Sequence, residues 1–403
     1  MGRWLTIIGI GEDGLAGLGQ NACNALINAD VIFGGKRHLA FLNEGINAEQ
    51  IAWPSPFENA FPMIEAQRGR QVVVLASGDP MFYGMGASLS RHFSKQDMQI
   101  IPFPSSLSLA ASRMAWPLQE VRVVSVHGRP FELLAAHVLP GEKILVLSND
   151  GTTPAKAASL LKEKGFGQSH LTVLERLGGP KEKSISCNAD DWSHETCADL
   201  NVLAIECIAS RGAVVFSPVS GLPDQAFEND GQLTKRDIRV VTLSRLQPLP
   251  HELLWDVGAG CGSIGIEWMR VHASCRAIAV EADETRQGII ERNARTLGVP
   301  GLQLVKGNAP EALRGLEPPD AIFIGGGVTD KGVIETCWAA LKPGGRLVAN
   351  AVTLQSEMQL FNWRQKHGGE LTRLQVAQAG ALGSFDAWRQ ALPVTIYCGI
   401  KDK

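Results

Sequence analysis

Residues Leu253-Leu-Trp-Asp-Val-Gly-Ala-Gly-Cys-Gly-Ser-Ile-Gly-Ile-Glu-Trp268 decide the fold of the C-terminal half. An apolar run ends at Asp256 and glycines follow at 258, 260, 262 and 265. An apolar helical pattern then begins with Ile264, Ile266, Trp268 and Met269. The stretch predicts a strand, a tight turn and a helix N-terminus, the start of a nucleotide-type binding site. Glycines in such a turn let backbone N–H groups approach a ligand that a Cβ would keep out. A second apolar run, Ala277-Ile-Ala-Val-Glu281, ends in an acid. A carboxylate at the tip of the second strand can accept both hydroxyls of a ribose.

Outward from this stretch the α/β alternation continues. A helix is expected from Lys235 to about 246. Strands are expected at 253–257, 276–281, 302–306, 320–324, 346–350, 371–377 and 393–400. Helices at about 263–272, 284–297, 331–341 and 355–367 fill the gaps. Five βα units and two closing strands indicate a doubly wound, Rossmann-like sheet.

Upstream, a second set of Gly-rich turns follows buried strands. Leu5-Thr-Ile-Ile-Gly-Ile-Gly11 runs into Gly14 and Gly17. Val72-Val-Val-Leu-Ala76, short and β-branched, enters Ser77-Gly-Asp-Pro-Met-Phe-Tyr-Gly84. Phe103-Pro-Ser-Ser-Leu-Ser108 offers serines that cap a helix. Val121-Arg-Val-Val-Ser-Val126 ends at His127-Gly-Arg129. Beyond that point strands come with less helix between them. The expected organisation is two lobes, about 1–125 and 126–208, a linker over 209–232, and an α/β domain over 233–403.

Bulk composition bounds the partners. The chain has 403 residues, 45% hydrophobic and 20% charged, with net charge −3. No polybasic nucleic-acid footprint is present, and no apolar run reaches the ~18–20 residues of a membrane span. The eight cysteines include no CxxC pair, so no metal site is expected, and a reducing, cytoplasmic setting follows.

Gly260-Cys-Gly-Ser-Ile-Gly265 matches G-x-G-x-x-G, which by itself also suits a dinucleotide enzyme. With Asp256 two residues before Gly258, the pattern Asp-Val-Gly-x-Gly-x-Gly resembles motif I of class I S-adenosylmethionine (SAM) methyltransferases. Gly307-Asn-Ala-Pro-Glu-Ala-Leu313 and Leu341-Lys-Pro-Gly-Gly-Arg-Leu-Val348 agree with it. The resemblance implies that Asp256, Gly258, Ala259, Gly260, Cys261 and Gly262 hold the donor's methionine end. It implies that Glu281 binds its ribose and that Asn308 and Ala309 lie along its adenine. It also implies that Gly325-Gly-Gly327 leaves space beside the methyl group. Thr234 is expected near SAM as well as at a helix N-cap, with Lys235, Arg236 or Arg239 near an anionic substrate.

In the N-terminal half, Ser77-Gly-Asp-Pro-Met-Phe-Tyr-Gly84, Ile8-Gly-Ile-Gly11 and Pro104-Ser-Ser106 together resemble the tetrapyrrole methylase family. That is a different SAM fold, with two α/β lobes and the donor in their cleft. Glu12-Asp-Gly14 departs from the Pro-Gly-Asp of many members. The resemblance implies donor contacts at Gly9, Gly11, Gly78, Asp79, Pro80, Met81, Ser105 and Ser106. His127 and Arg129 would grip substrate carboxylates, Arg as a two-pronged donor. The remaining histidines, His38 among them, are read as ordinary.

The fused order resembles the bifunctional C-methyltransferases of cobalamin biosynthesis. It implies methylation of a precorrin-6 type tetrapyrrole at C5 by the N-terminal domain. The C-terminal domain would methylate C15 and remove the ring C acetate carboxyl, giving precorrin-8. A homo-oligomer is expected by the same resemblance. The alternatives are a cobalt-containing precorrin as substrate, or a nicotinamide-dependent precorrin reductase.

Overall fold

Short apolar runs form the central strands of the three larger sheets. In the computed structural model of the chain, residues 3–402 are described, and they divide into two compact units. The first takes the chain up to Arg129 and again over Pro140–Ala213. The second takes Pro130–Leu139 and the chain from Val214 onward.

The first unit carries two five-stranded sheets. One is formed by β1 (Leu5–Ile10), β2 (Val31–Gly34), β3 (Glu49–Ala52), β4 (Val72–Ser77) and β5 (Met98–Ile101). Its order is β3-β2-β4-β1-β5, and every pairing is parallel. All six residues of β1 are buried, as are the first five of β4. A strand covered on both faces reads as a continuous apolar run, which is why these two were visible in the sequence. The other sheet joins β6 (Arg122–Ser125), β7 (Lys143–Leu147), β8 (His170–Glu175), β9 (Lys183–Asn188) and β10 (Asn201–Glu206). Its order is β6-β7-β10-β8-β9, and only β6 and β7 pair in parallel.

The second unit is built on a seven-stranded sheet. It contains β11 (Leu253–Val257), β12 (Arg276–Glu281), β13 (Gln303–Lys306), β14 (Ala321–Ile324), β15 (Arg346–Ala351), β16 (Glu370–Leu374) and β19 (Val394–Ile400). The order β13-β12-β11-β14-β15-β19-β16 is parallel through β15, with β19 antiparallel to both its neighbours. A separate hairpin, β17 (Ala377–Leu382) and β18 (Phe385–Gln390), departs from the expected two closing strands.

The stretch expected as a linker, 209–232, contributes to the second unit from Val214 on. Leu222 and Phe227 pack in one buried cluster with Cys261, Ile266 and Ile289. Each such apolar side chain contributes about 1.5–3 kcal/mol by leaving water. Pro and Gly marked turns here, and the buried anchors between them held the segment down.

Candidate functional site

In the second unit, β11 delivers the glycine turn. Gly258, Gly260 and Gly262 have φ of 67, 61 and 79°, all in the left-handed region. A Cβ at Gly258 would stand 2.9 Å from the amide nitrogen of Gly326, so two backbone turns meet where a side chain does not fit. Glu281, at the end of β12, closes the turn from beside. Its Oε2 accepts the Gly260 amide at 2.8 Å, and its Oε1 accepts those of Ala282 and Asp283 at 3.0 and 3.1 Å. The carboxylate is thus fixed by three backbone donors and still has lone pairs for a ligand.

These elements line a cavity of about 990 Å³ together with Thr234, Lys235, Arg236, Asn308 and Ala309. That is the upper end of the ~300–1,000 Å³ typical of small-molecule sites. Gly326 has open space where a Cβ would be.

Three residues of the motif stand behind the cavity wall. Asp256 is fully buried; its Oδ2 accepts the Gly265 amide at 2.8 Å and its Oδ1 has no partner. Burial pushes its carboxyl up to about 7, against the Gly265 bond and with help from the Glu281 charge. Cys261, 2% exposed, packs into the cluster with Leu222 and Phe227. Gly262 lies against Ile290 and Ile266. Asp256, Cys261 and Gly262 therefore shape the turn from behind.

Two further expectations are corrected here. The helix Arg236–Leu246 has Lys235 as its N-cap, without a side-chain cap bond, so Thr234 is free to face the cavity. Arg239, expected near an anionic substrate, is 0% exposed. It donates to Glu267 at 2.6 Å, to Asp224 at 3.1 Å and to the carbonyls of Thr234 and Leu222, and it stacks on Phe227. A buried guanidinium needs this full set of acceptors. The result ties the segment carrying Gly231–Thr234 to the helix Ser263–Val271.

In the first unit, the turns after β1 and β4 meet backbone to backbone. A Cβ on Gly9 would lie 2.1 Å from the Gly78 carbonyl oxygen. Asp79 folds its own turn, its Oδ1 accepting the Met81 amide at 2.8 Å. The Pro80 carbonyl accepts the Ala87 amide. Ser105 caps the helix Ser106–Met114, its Oγ accepting the Ser108 amide at 3.1 Å. Gly9, Asp79, Pro80 and Ser105 build the walls. Gly11, Gly78, Met81, Ser106, His127 and Arg129 line the cavity itself, of about 870 Å³.

Sequence reading missed Arg37, His38, Arg91 and Arg176, which line the same cavity. His38 Nε2 lies 3.0 Å from Ser77 Oγ and 3.1 Å from Arg37 Nη2. A guanidinium only donates, so Nε2 accepts and the ring proton sits on Nδ1, which is buried without a partner. Burial, then the Arg37 charge, pulls the imidazole down to about 4. It is neutral at physiological pH. Arg37 also pairs with Glu12 at 2.9 Å.

Two family models match the chain. The one for Tetrapyrrole (Corrin/Porphyrin) Methylases matches residues 4–192, and the one for the Precorrin methyltransferase domain matches residues 225–401. A protein of Sinorhizobium sp. named "Precorrin-6Y C(5,15)-methyltransferase [decarboxylating]" is 50% identical over 392 residues, 97% of this chain and 95% of its own. Two shorter relatives are each 32% identical. The "Cobalt-precorrin-7 C(5)-methyltransferase" of Salmonella typhimurium aligns with 44% of this chain and 88% of its own. The "Probable cobalt-precorrin-6B C(15)-methyltransferase (decarboxylating)" of Saccharolobus solfataricus aligns with 45% of this chain and 96% of its own.

Proposed function

This chain belongs to the family of decarboxylating precorrin-6Y C5,15-methyltransferases, and from that premise we propose how its two cavities share the work. The first unit methylates C5 of a precorrin-6 type macrocycle. The second methylates C15 and removes the carboxyl of the ring C acetate, so that the product is precorrin-8. The observation that carries this reading is a separate glycine-walled cavity in each unit. Relatives named for the C5 reaction alone and the C15 reaction alone, each aligning with less than half of this chain, support the division. The full-length relative is named for a precorrin without cobalt, which favours a metal-free substrate.

The family's donor is SAM, and the residues present suit it. In the second unit the turn at Gly258–Gly260 offers a cradle that a Cβ would fill, with Glu281 beside it. Bound there, SAM would supply an electrophilic methyl group to the macrocycle carbon, and its sulfur would depart as the neutral thioether S-adenosylhomocysteine. The chain's own task is positioning. Thr234, Gly258, Ala259, Gly260, Glu281, Asn308 and Ala309 hold the donor in the second unit. Lys235 and Arg236 face the substrate's carboxylates. In the first unit Gly11, Gly78, Met81 and Ser106 hold the donor, with Gly9, Asp79, Pro80 and Ser105 setting the loops. His127 and Arg129 take the substrate. The electron-rich macrocycle brings its own nucleophilic carbon, so no nucleophilic side chain is required.

The enzyme works in the cytoplasm as a homo-oligomer. The eight cysteines, none of them in a disulfide among the described residues, support the first point. The exposed Leu382, Phe385 and Trp388 of the β17–β18 hairpin support the second. Among the described residues no helix is long and apolar enough to cross a membrane.

The test is incubation of the full chain with SAM and reduced precorrin-6. Mass spectrometry is expected to find two methyl groups gained and one CO2 lost. A product with one methyl gained, or with its carboxyl retained, overturns the reading.

A further inference from the structure

Five non-glycine residues among those described have positive φ: Tyr83, Ala115, Arg176, Gln247 and His251. Ala115 and Gln247 end the helices Ser106–Met114 and Arg236–Leu246, an ordinary place for a left-handed residue. His251 sits in the turn before β11. Tyr83 (φ 54°) and Arg176 (φ 49°) cap no helix, and both line the cavity of the first unit.

The backbone on each side of Arg176 is pinned. Its amide donates to the Leu200 carbonyl at 3.0 Å, and its carbonyl accepts the Gly179 amide at 3.1 Å. Glu175 before it is buried and accepts the Ala198 amide at 2.8 Å; Leu177 after it is 7% exposed. This conformation suits glycine, which has no Cβ to strain it. Yet the position carries a long cation whose side chain makes no hydrogen bond or ion pair with other described residues. Strain retained at a cavity wall points to a function for the side chain that causes it.

The charge balance says which function. Arg37, Arg91, Arg129 and Arg176 line the cavity against two carboxylates, Glu12 and Asp199. Glu12 is engaged by Arg37, and Asp199 accepts the Gly151 amide at 3.1 Å. Tyr83 presents its ring 5.0 Å from the Arg129 guanidinium carbon, which holds that fork flat. Three planar cations, Arg91, Arg129 and Arg176, therefore line the cavity without a carboxylate partner among the described residues, and of these Arg176 alone has a left-handed backbone.

We propose that Arg176 selects the substrate of the first unit by pairing with a side-chain carboxylate of the macrocycle. The assignment rests on the reading of this cavity as the C5 methylation site. SAM also carries a carboxylate, so the chemistry is shared and the test separates the two sources. Arg176→Gly in the full chain removes the cation and relieves the backbone. Its thermal midpoint is expected to equal or exceed that of the wild type. Its KM for the macrocycle in C5 methylation is expected to rise roughly ten- to a hundredfold, the loss of one charge-assisted pair. Its affinity for S-adenosylhomocysteine by calorimetry is expected to stay unchanged. Arg176→Lys is expected to recover part of the KM, since a point charge replaces a fork.

An unchanged KM in Arg176→Gly overturns the proposal, and so does a KM that rises in step with a weaker S-adenosylhomocysteine affinity. A lowered midpoint with normal KM makes the residue structural and overturns it too. A wild-type chain that adds no methyl at C5 overturns instead the underlying reading of the cavity.

Discussion

Glu281 Oε2 accepts the amide of Gly260 at 2.8 Å, linking the end of one strand to the glycine turn that follows its neighbour. Replacing Glu281 with Ala removes the proposed ribose acceptor and orphans the backbone donors it receives. The expected product from SAM and precorrin-6 is one methyl heavier, with its carboxyl retained. Binding of the donor to the second unit should weaken roughly ten- to a hundredfold, as a charged acceptor's loss costs about 1.5–3 kcal/mol. Calorimetry with S-adenosylhomocysteine resolving two sites of equal affinity would contradict this.

Gly9 touches Gly78 so closely that any Cβ must move one of them. Gly9→Ala is expected to cost on the order of 1–3 kcal/mol in the first unit, as overpacking does. It should also remove methylation at C5. Thermal unfolding and the regiochemistry of the product check both effects.

The Arg239–Glu267 pair is expected to behave as a buried one. Arg239→Met alone leaves Glu267, 2% exposed, as an uncompensated charge. A loss of about 3–5 kcal/mol is expected in chemical denaturation of the full chain. Glu267→Gln together with Arg239→Met should recover part of it. A single variant with wild-type stability would show the pair to be idle.

Two buried groups give opposite pH dependence. Asp256 is raised to about 7 in the fold, above its ordinary 3.8. The folded state therefore holds the extra proton between those values, and this group's contribution falls as pH rises from about 4 to 7. His38 is lowered from 6.5 to about 4, so its contribution falls as pH drops from 6.5 to 4. Asp256→Asn should thus gain on the wild type with rising pH, by at most about 1.4 kcal/mol per pH unit. His38→Gln should gain on it with falling pH. Denaturant midpoints at pH 4.5, 5.5 and 6.5 test both slopes.

Much of this was legible before any coordinates. β1, β4, β11 and β12 are largely apolar runs; glycine announces the turns after β1, β4 and β11, and the acid Glu281 marks the end of β12. The β17–β18 hairpin was not legible. Ala377–Leu382 is rich in Ala and Gly, and no β-branched residue occurs in either strand. Arg239 was misplaced because arginine usually marks a surface, and nothing local shows the acceptors that Asp224, Leu222 and Glu267 bring from elsewhere. His38 and Arg176 were passed over for a related reason: their cavity is assembled from turns far apart in the chain.

The excursion of Pro130–Leu139 into the second unit has a consequence for how this protein is made and cut. Leu134 is fully buried, and Ala136 sits where a Cβ on Gly298 would collide with it. A ribosome releases that short span well before the helix Glu284–Thr296 that packs against it. Until synthesis reaches that point the span has no shelter. A fragment beginning at Val214 lacks it altogether, so anyone expressing the C-terminal half alone should supply residues 130–139 as a separate peptide or expect a bare groove.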